Sequence, residues 1–483
     1  SRGLGDVYKR QTLSKDFGAA LGADSLFIHT HGTSLPAIAV EWYSTKYSDV
    51  ANNASKAYSV FAPSDVAMNN FFDNYWEKGG YESLDDVDDL AMKYMLNQFI
   101  YEDGIAFPDE ITSGKVKNMY DMVFNFDPSK VTDKSMCVNG VFYGLNTIDT
   151  PILFASVVGP AFRNKDCNYY LYMLDGTGLI TAYSSQDTKY VLLVPTNEQI
   201  ESEDIYLRTY ADGSRLQQET EDGLVDVSSS VMRTIVNIHT ATGVDGLKTN
   251  GTQVLATQTG FNYWYVKDGK ITSSAAYNQI LEPDNNVEPF SEFTEVKNGN
   301  DNWNNGRTYM YSGTALFQAQ EGDGLQHKLS VCNDNRYVYY QFAQLLQKAG
   351  MVMSSNYIFG LAGASHVIGF IPTNEAIITA IAAGQIPGMD VTGAVTSSLQ
   401  LRQYLLSYFI RDRENALISY PYPGSAMKSS TYVTASGKSL AYTDSGSSLS
   451  IMVDGKVANV ISDYNFFPFA FDDGCFQLID AVL

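Results

Sequence analysis

Three short stretches share one order of apolar and polar positions: SVFAPSDVAM at 59–68, LLVPTNEQI at 192–200 and GFIPTNEAI at 369–377. Each is an apolar run closed by proline, then a hydroxyl residue and an acid or amide, then residues able to continue as a helix. Proline lacks the N–H that a central ladder needs, so Pro63, Pro195 and Pro372 mark strand ends. Ser64, Thr196 and Thr373 stand where a hydroxyl caps a helix amino terminus, followed by Asp65, Asn197 and Asn374. Thr196 and Gln199 also have capping-box spacing. The predicted order is strand, sharp exit, helix.

An amphipathic helix follows each stretch: LAMKYMLNQFI at 90–100, VMRTIVNIHT at 231–240 and LQLRQYLLSYFI at 399–410. Aligned on Phe99, His239 and Phe409, the positions three and four earlier are all apolar, which is the spacing of one buried face. Each third of the chain then closes on a turn and an apolar strand: NGVFYGL (139–145), NGRTYMY (305–311) and DGCFQLI (473–479). Asn-Gly and Asp-Gly predict hairpins because both residues tolerate positive φ. The same signal predicts further hairpins in VKDGKI (266–271) and MVDGKV (452–457). Segment 283–306, rich in Asn, Glu and Gly, reads as a surface loop.

This order of blocks resembles the fasciclin-like domain family. The resemblance rests on FAPSD (61–65), VPTN (194–197) and IPTN (371–374), and on the closing NGVFYGLNTID (139–149) and DGCFQLID (473–480); NGRTYMY matches only in its turn. It implies an α+β chain of three tandem modules at 36–160, 161–325 and 326–483, each a wedge-shaped β-sandwich flanked by helices. It also implies a non-catalytic protein of the cell surface or extracellular space. Its role would be adhesion or scaffolding, with protein or glycan partners and no cofactor. Bacterial relatives of this kind are often outer-membrane-associated lipoproteins. The readings set beside it are a glycan-capture accessory surface protein and a carbohydrate-active enzyme.

Length agrees, since 483 residues suggest about three domains. The balance is acidic, 54 Asp and Glu against 32 Lys and Arg for a net charge of −22. No basic stripe of the kind that binds nucleic acid is present. The longest apolar runs fall well short of the roughly 20 residues that span a bilayer, so membrane contact is expected to be peripheral, through a lipid anchor carried upstream. Residues 1–35 are expected to be a leader, with 1–11 (SRGLGDVYKRQ) non-native in character. Cys137, Cys167, Cys332 and Cys475 are too scattered for a disulfide framework and read as small apolar residues.

Candidate chemistry is sparse. GxSxG, HExxH, Walker-type and GxGxxG motifs are absent. His239 falls at the place of the family's histidine, but Ile238 replaces the tyrosine before it and the other thirds carry Phe99 and Phe409. An aromatic packing position is therefore the expectation. His29 and His31 alternate as two ligands on a strand would, yet only Asp24 lies near as a third. Asp85, Asp86, Asp88 and Asp89 lack the pattern of a calcium loop and read as a solvated first helical turn. Tyr263, Trp264 and Tyr265, with Phe261 and Trp303, are candidates for a sugar-stacking platform. Alternation along a strand instead puts Tyr263 and Tyr265 on one face and Trp264 on the other.

Overall fold

The computed structural model describes residues 58–483, apart from 102–105, 107, 124–127, 138–139, 212, 321–323 and 355–356. The expected leader, the His29–His31 pair, the opening of the first expected module and Asn139 lie outside the described residues. What is described is a mixed arrangement of helices and several sheets, an α+β chain.

In the first segment, β1 (Tyr58–Pro63) leads through Ser64 into α1 (Asp65–Asn74), and α2 (Asp89–Asn97) leads into β2 (Ile100–Tyr101). The closing hairpin is β3 (Val131–Cys137) and β4 (Gly140–Leu145). β4 runs parallel to β1, with Phe61 opposite Tyr143, and the sheet order is β2-β1-β4-β3. The central parallel pair is buried on both sides, which is why VFA is a continuous apolar run instead of an alternating one.

The second segment begins with α3 (Asn168–Thr177) and β5 (Tyr190–Leu193), then α4 (Asn197–Glu201). A small antiparallel sheet follows: β6 (Ile205–Tyr210), β7 (Gly213–Thr220) and β8 (Gly223–Asp226). Next come α5 (Ser229–Ile238), β9 (Thr240–Thr242), β10 (Thr252–Ala256), β11 (Tyr263–Lys267), β12 (Lys270–Ser273), β13 (Ser291–Val296) and β14 (Gly306–Tyr311). Their sheet has the order β10-β11-β12-β13-β14-β5-β9. It curls until its ends meet, where Ala241 bridges Thr257 and Gln258 N–H donates to Thr240 O at 2.9 Å.

The third segment carries α6 (Leu325–Val331), α7 (Tyr340–Lys348), β15 (Val367–Pro372), α8 (Asn374–Ala382), α9 (Ser398–Leu406) and β16 (Phe409–Arg411). It ends with β17 (Ser430–Val433), β18 (Ser439–Asp444), β19 (Leu449–Val453), β20 (Lys456–Asn459), β21 (Phe469–Phe471) and β22 (Gly474–Ile479). Two four-stranded sheets form, β16-β15-β22-β21 and β17-β18-β19-β20, joined by bridges Ile410 to Thr434 and Val460 to Ile479. One strand order therefore recurs: β2-β1-β4-β3, β9-β5-β14-β13 and β16-β15-β22-β21, each with its proline-ended strand parallel to the closing strand.

Five expectations change. First, the glycines of the closing motifs are not turn centres. Gly474 pairs with Phe471 as the first residue of β22, and Gly306 opens β14 opposite Tyr190. Second, the register at the third helix exit moves by one. The Phe99, His239 and Tyr408 carbonyls accept from Phe61, Leu193 and Phe370, so Tyr408, not Phe409, matches His239. Third, β6–β8 were not foreseen, because their residues are largely exposed and polar. Fourth, the 283–306 loop contains strand β13. Fifth, the acidic run is not a solvated turn. Asp88 caps α2 through Leu90 N–H at 2.9 Å and Ala91 N–H at 3.3 Å, while Asp86 pairs with Lys165 at 2.7 Å. By contrast Asp268-Gly269 and Asp454-Gly455 form two-residue hairpin turns with positive φ at both positions.

Two single-turn helices, Ile152–Ala155 and Gly159–Arg163, wedge between the first two segments. Tyr75 O–H donates to Phe154 O, Trp76 Nε1–H donates to Phe162 O, and Val157 N–H donates to Asn305 Oδ1.

Candidate functional site

The three corners are built alike. Ser64 Oγ accepts from Ala67 N–H at 3.2 Å, Thr196 Oγ1 from Gln199 N–H at 3.2 Å and Thr373 Oγ1 from Ala376 N–H at 3.3 Å. In the second corner Gln199 Oε1 accepts from Thr196 N–H at 2.9 Å, completing the capping box. Ser64 and Thr373 send their own N–H groups to Leu145 O and Ile479 O on the closing strands. Pro63 and Pro372 are the last paired residues of their strands, and Pro195 follows two residues after the last pair at Leu193. In all three corners the hydroxyl is spent on a backbone N–H.

The residue after the hydroxyl has a second task. Asn374 Oδ1 accepts from Gln341 N–H at 2.8 Å, and its Nδ2 donates to Tyr337 O at 2.8 Å. Asn197 repeats this: Oδ1 accepts from Tyr169 N–H at 3.1 Å, and Nδ2 donates to Lys165 O at 3.2 Å and Asn168 Oδ1 at 2.8 Å. Each carboxamide pins the start of the preceding helix, α3 or α7, to the corner. Asp65, at the first corner, is exposed. Read as a mere neighbour of the cap, the asparagine hides this role; its signal is an amide with both donor and acceptor at two of the three corners.

The residues before the closing glycines act similarly. Asp473 accepts from Leu325 and Gln326 N–H at the start of α6. Asn305 accepts from Val157 and donates to Tyr183 O and Ser185 O.

His239 ends α5 and is fully buried. Its Nδ1 lies 2.7 Å from Ile235 O, which can only accept, so that nitrogen carries the proton. Nε2, 3.0 Å away, then accepts from Tyr311 O–H. Burial pulls its pKa down to about 4, against the Ile235 hydrogen bond, which raises it. Both ring nitrogens are thus engaged inside the fold.

The proposed stacking platform does not form. Tyr263, Trp264, Tyr265 and Trp303 are all buried, leaving no open ring face for a sugar. Trp264 and Val266 point into the curled second sheet, with Trp264 Nε1–H donating to Ile238 O at 2.7 Å. Tyr263 and Tyr265 point the other way, into the core of the third segment. There Tyr265 O–H donates to Pro468 O, Tyr277 O–H to Tyr464 O and Asn278 Nδ2 to Ala470 O. Tyr263 O–H accepts from Tyr420 N–H. Phe261, at φ 58°, packs between His366 and Tyr420. Trp303 lies under Arg163 and donates to Val296 O at 2.7 Å.

Asp88, partly buried between its cap bonds and Asn168, has its pKa pushed up to about 6 by desolvation. Among the described residues, Cys167, Cys332 and Cys475 are buried free thiols. No described group of three or more His, Cys, Asp or Glu is placed to hold a metal. No described helix is long and apolar enough to cross a membrane.

No protein-family model and no curated protein matches the chain. Among solved structures, it is similar to a FAS1 domain pair from the insect cell adhesion molecule fasciclin I. That match has 13% identity, covers 65% of this chain and 95% of that one, and has a TM-score of 0.27.

Proposed function

We propose that the chain comprises three tandem fasciclin-like modules, at 36–160, 161–325 and 326–483, and acts as a non-catalytic adhesion or scaffolding protein. Its place would be the cell surface or extracellular space, held peripherally to a membrane, with protein or glycan partners. The observation that carries this reading is the triple recurrence of one strand order with one capped corner. Corner hydroxyls and amides that recur in sequence are consumed by backbone groups, so their recurrence reflects architecture. The division at 160/161 falls within the helical wedge shared by the first two segments.

The reading is tested by presenting the purified chain to surfaces coated with matrix proteins or polysaccharides, and in parallel to labelled polysaccharides in solution. Saturable retention without product release is expected. Release of shortened saccharides would overturn it.

A further inference from the structure

β10 and the 419–426 loop of the third segment enclose an open cleft of about 840 Å³. That volume is in the range of roughly 300–1,000 Å³ typical of small-ligand sites. The two walls are tied together, because Tyr422 O–H donates to Thr252 Oγ1 at 2.8 Å across the junction. The shape is therefore fixed by the packing of the two segments.

Its chemistry is unlike that of the rest of the chain. In a protein of net charge −22, no Asp or Glu lines the cleft, and Lys248 is its one charged side chain. The remaining polar groups are hydroxyls and amides, with half-buried Tyr422 and Phe466 supplying aromatic surface. At the lip, Asn465 and Phe466 hold φ of 53° and 61°. Left-handed backbone is disfavoured at a bulky residue such as Phe466 and clusters at ligand-holding sites. Among the described residues, neither the Asn465 carboxamide nor the Lys248 ammonium has a protein hydrogen-bond partner.

We propose that this cleft binds a neutral oligosaccharide. A sugar presents an apolar ring face and a rim of hydroxyls. Those match an aromatic side chain beside amide, hydroxyl and ammonium groups. A polyanion is repelled by the net charge, and a cation finds no carboxylate. A peptide adding to β10 is obstructed at one end, where the sheet turns back onto β9 through the Ala241–Thr257 bridge. The proposal rests on reading the chain as a binding protein and gives that reading a site and a ligand class.

The test exposes the full chain to immobilised neutral gluco-, manno-, xylo- and galacto-oligosaccharides of tetra- to hexasaccharide length. Heparin and alginate oligosaccharides and a peptide array are run beside them, and titration calorimetry follows on whatever is retained. Ala426→Trp, at an exposed position, obstructs the cleft; Ser447→Trp on another part of the lip is the second obstruction if the first fails to fold. Asn465→Gly removes the carboxamide while suiting its backbone. Retention of at least one neutral glycan is expected, weakened about tenfold or more by an obstruction and by Asn465→Gly at unchanged circular dichroism. Failure to retain any neutral glycan, retention of anionic glycans or peptides alone, or binding indifferent to these variants overturns the proposal. Surface adhesion that persists while neutral glycans fail overturns the cleft alone. Hydrolysis of the retained glycan overturns the non-catalytic reading beneath it.

Discussion

Gly474 lies so close to Val367 that a Cβ on the glycine would stand 2.2 Å from the Val367 carbonyl oxygen. Gly306 meets Tyr190 in the same way, at 1.9 Å. These glycines let the closing strand start flush against its parallel neighbour. Gly455, in a hairpin turn at φ 81°, has nothing within 4 Å of its Cβ position. Gly455→Ala should therefore cost only left-handed backbone strain, about 1–2 kcal/mol, and Gly474→Ala distinctly more. Urea denaturation of both variants checks the order; equal costs would contradict the packing role.

Asn374 joins β15's corner to α7 by one accepted and one donated bond. Asn374→Ala should destabilise by about 1–3 kcal/mol, leaving the Gln341 N–H in the first turn of α7 without its partner, while Tyr337 O keeps the bond from Tyr340 N–H. Asn374→Asp keeps the acceptor and should fall between. Asp65→Ala, on an exposed side chain, should change stability by less than about 0.5 kcal/mol. Denaturant midpoints of the three variants give the comparison.

His239 makes stability depend on pH. Its folded pKa is about 4 against 6.5 for the free side chain, so the unfolded chain binds the extra proton in between. The contribution is fully present above about 6.5 and is lost as pH falls toward 4, by up to roughly 3 kcal/mol over the window. Asp88 and Asp89, whose pKa values are raised to about 6 by burial, act in the opposite sense. The difference between wild type and His239→Phe isolates the histidine, Phe99 being the residue at the matching place of the first segment. A flat difference profile between pH 4.5 and 7, on an order-of-magnitude scale of about 1 kcal/mol, would refute buried neutral His239.

Trp264 is entirely enclosed, with its indole N–H bonded to Ile238 O. Trp264→Ala should lower stability by about 3–5 kcal/mol. In thermal melts it should behave as a folding variant. A Trp264→Ala protein that melts like wild type and loses only ligand would restore this tryptophan as a contact residue.

What the sequence made legible were features with one physical cause. Proline followed by a hydroxyl has few uses other than ending a strand and capping a helix, and those corners lie where that reading puts them. Asp268-Gly269 and Asp454-Gly455 were equally readable as turns. Asp473-Gly474 has the same letters, but glycine there answers to close approach, which depends on a neighbour more than a hundred residues away. The slip between Tyr408 and Phe409 has a similar origin, since apolar spacing finds a helix but not the residue where it becomes strand. In β6–β8, Leu224 and Val225 are exposed, so no buried face marks the pattern. The aromatic run at 263–266 was ambiguous because both of its faces are buried, each against a different core.

That double burial of β11 ties the histories of two stretches together. Substitutions at Trp264 and Val266 are screened by the curled sheet, and those at Tyr263 and Tyr265 by the core of the last third. Exchanging the last third for that of a distant relative by recombination would leave Tyr265 and Tyr277 facing unmatched carbonyls. The two parts are expected to be inherited as a matched pair.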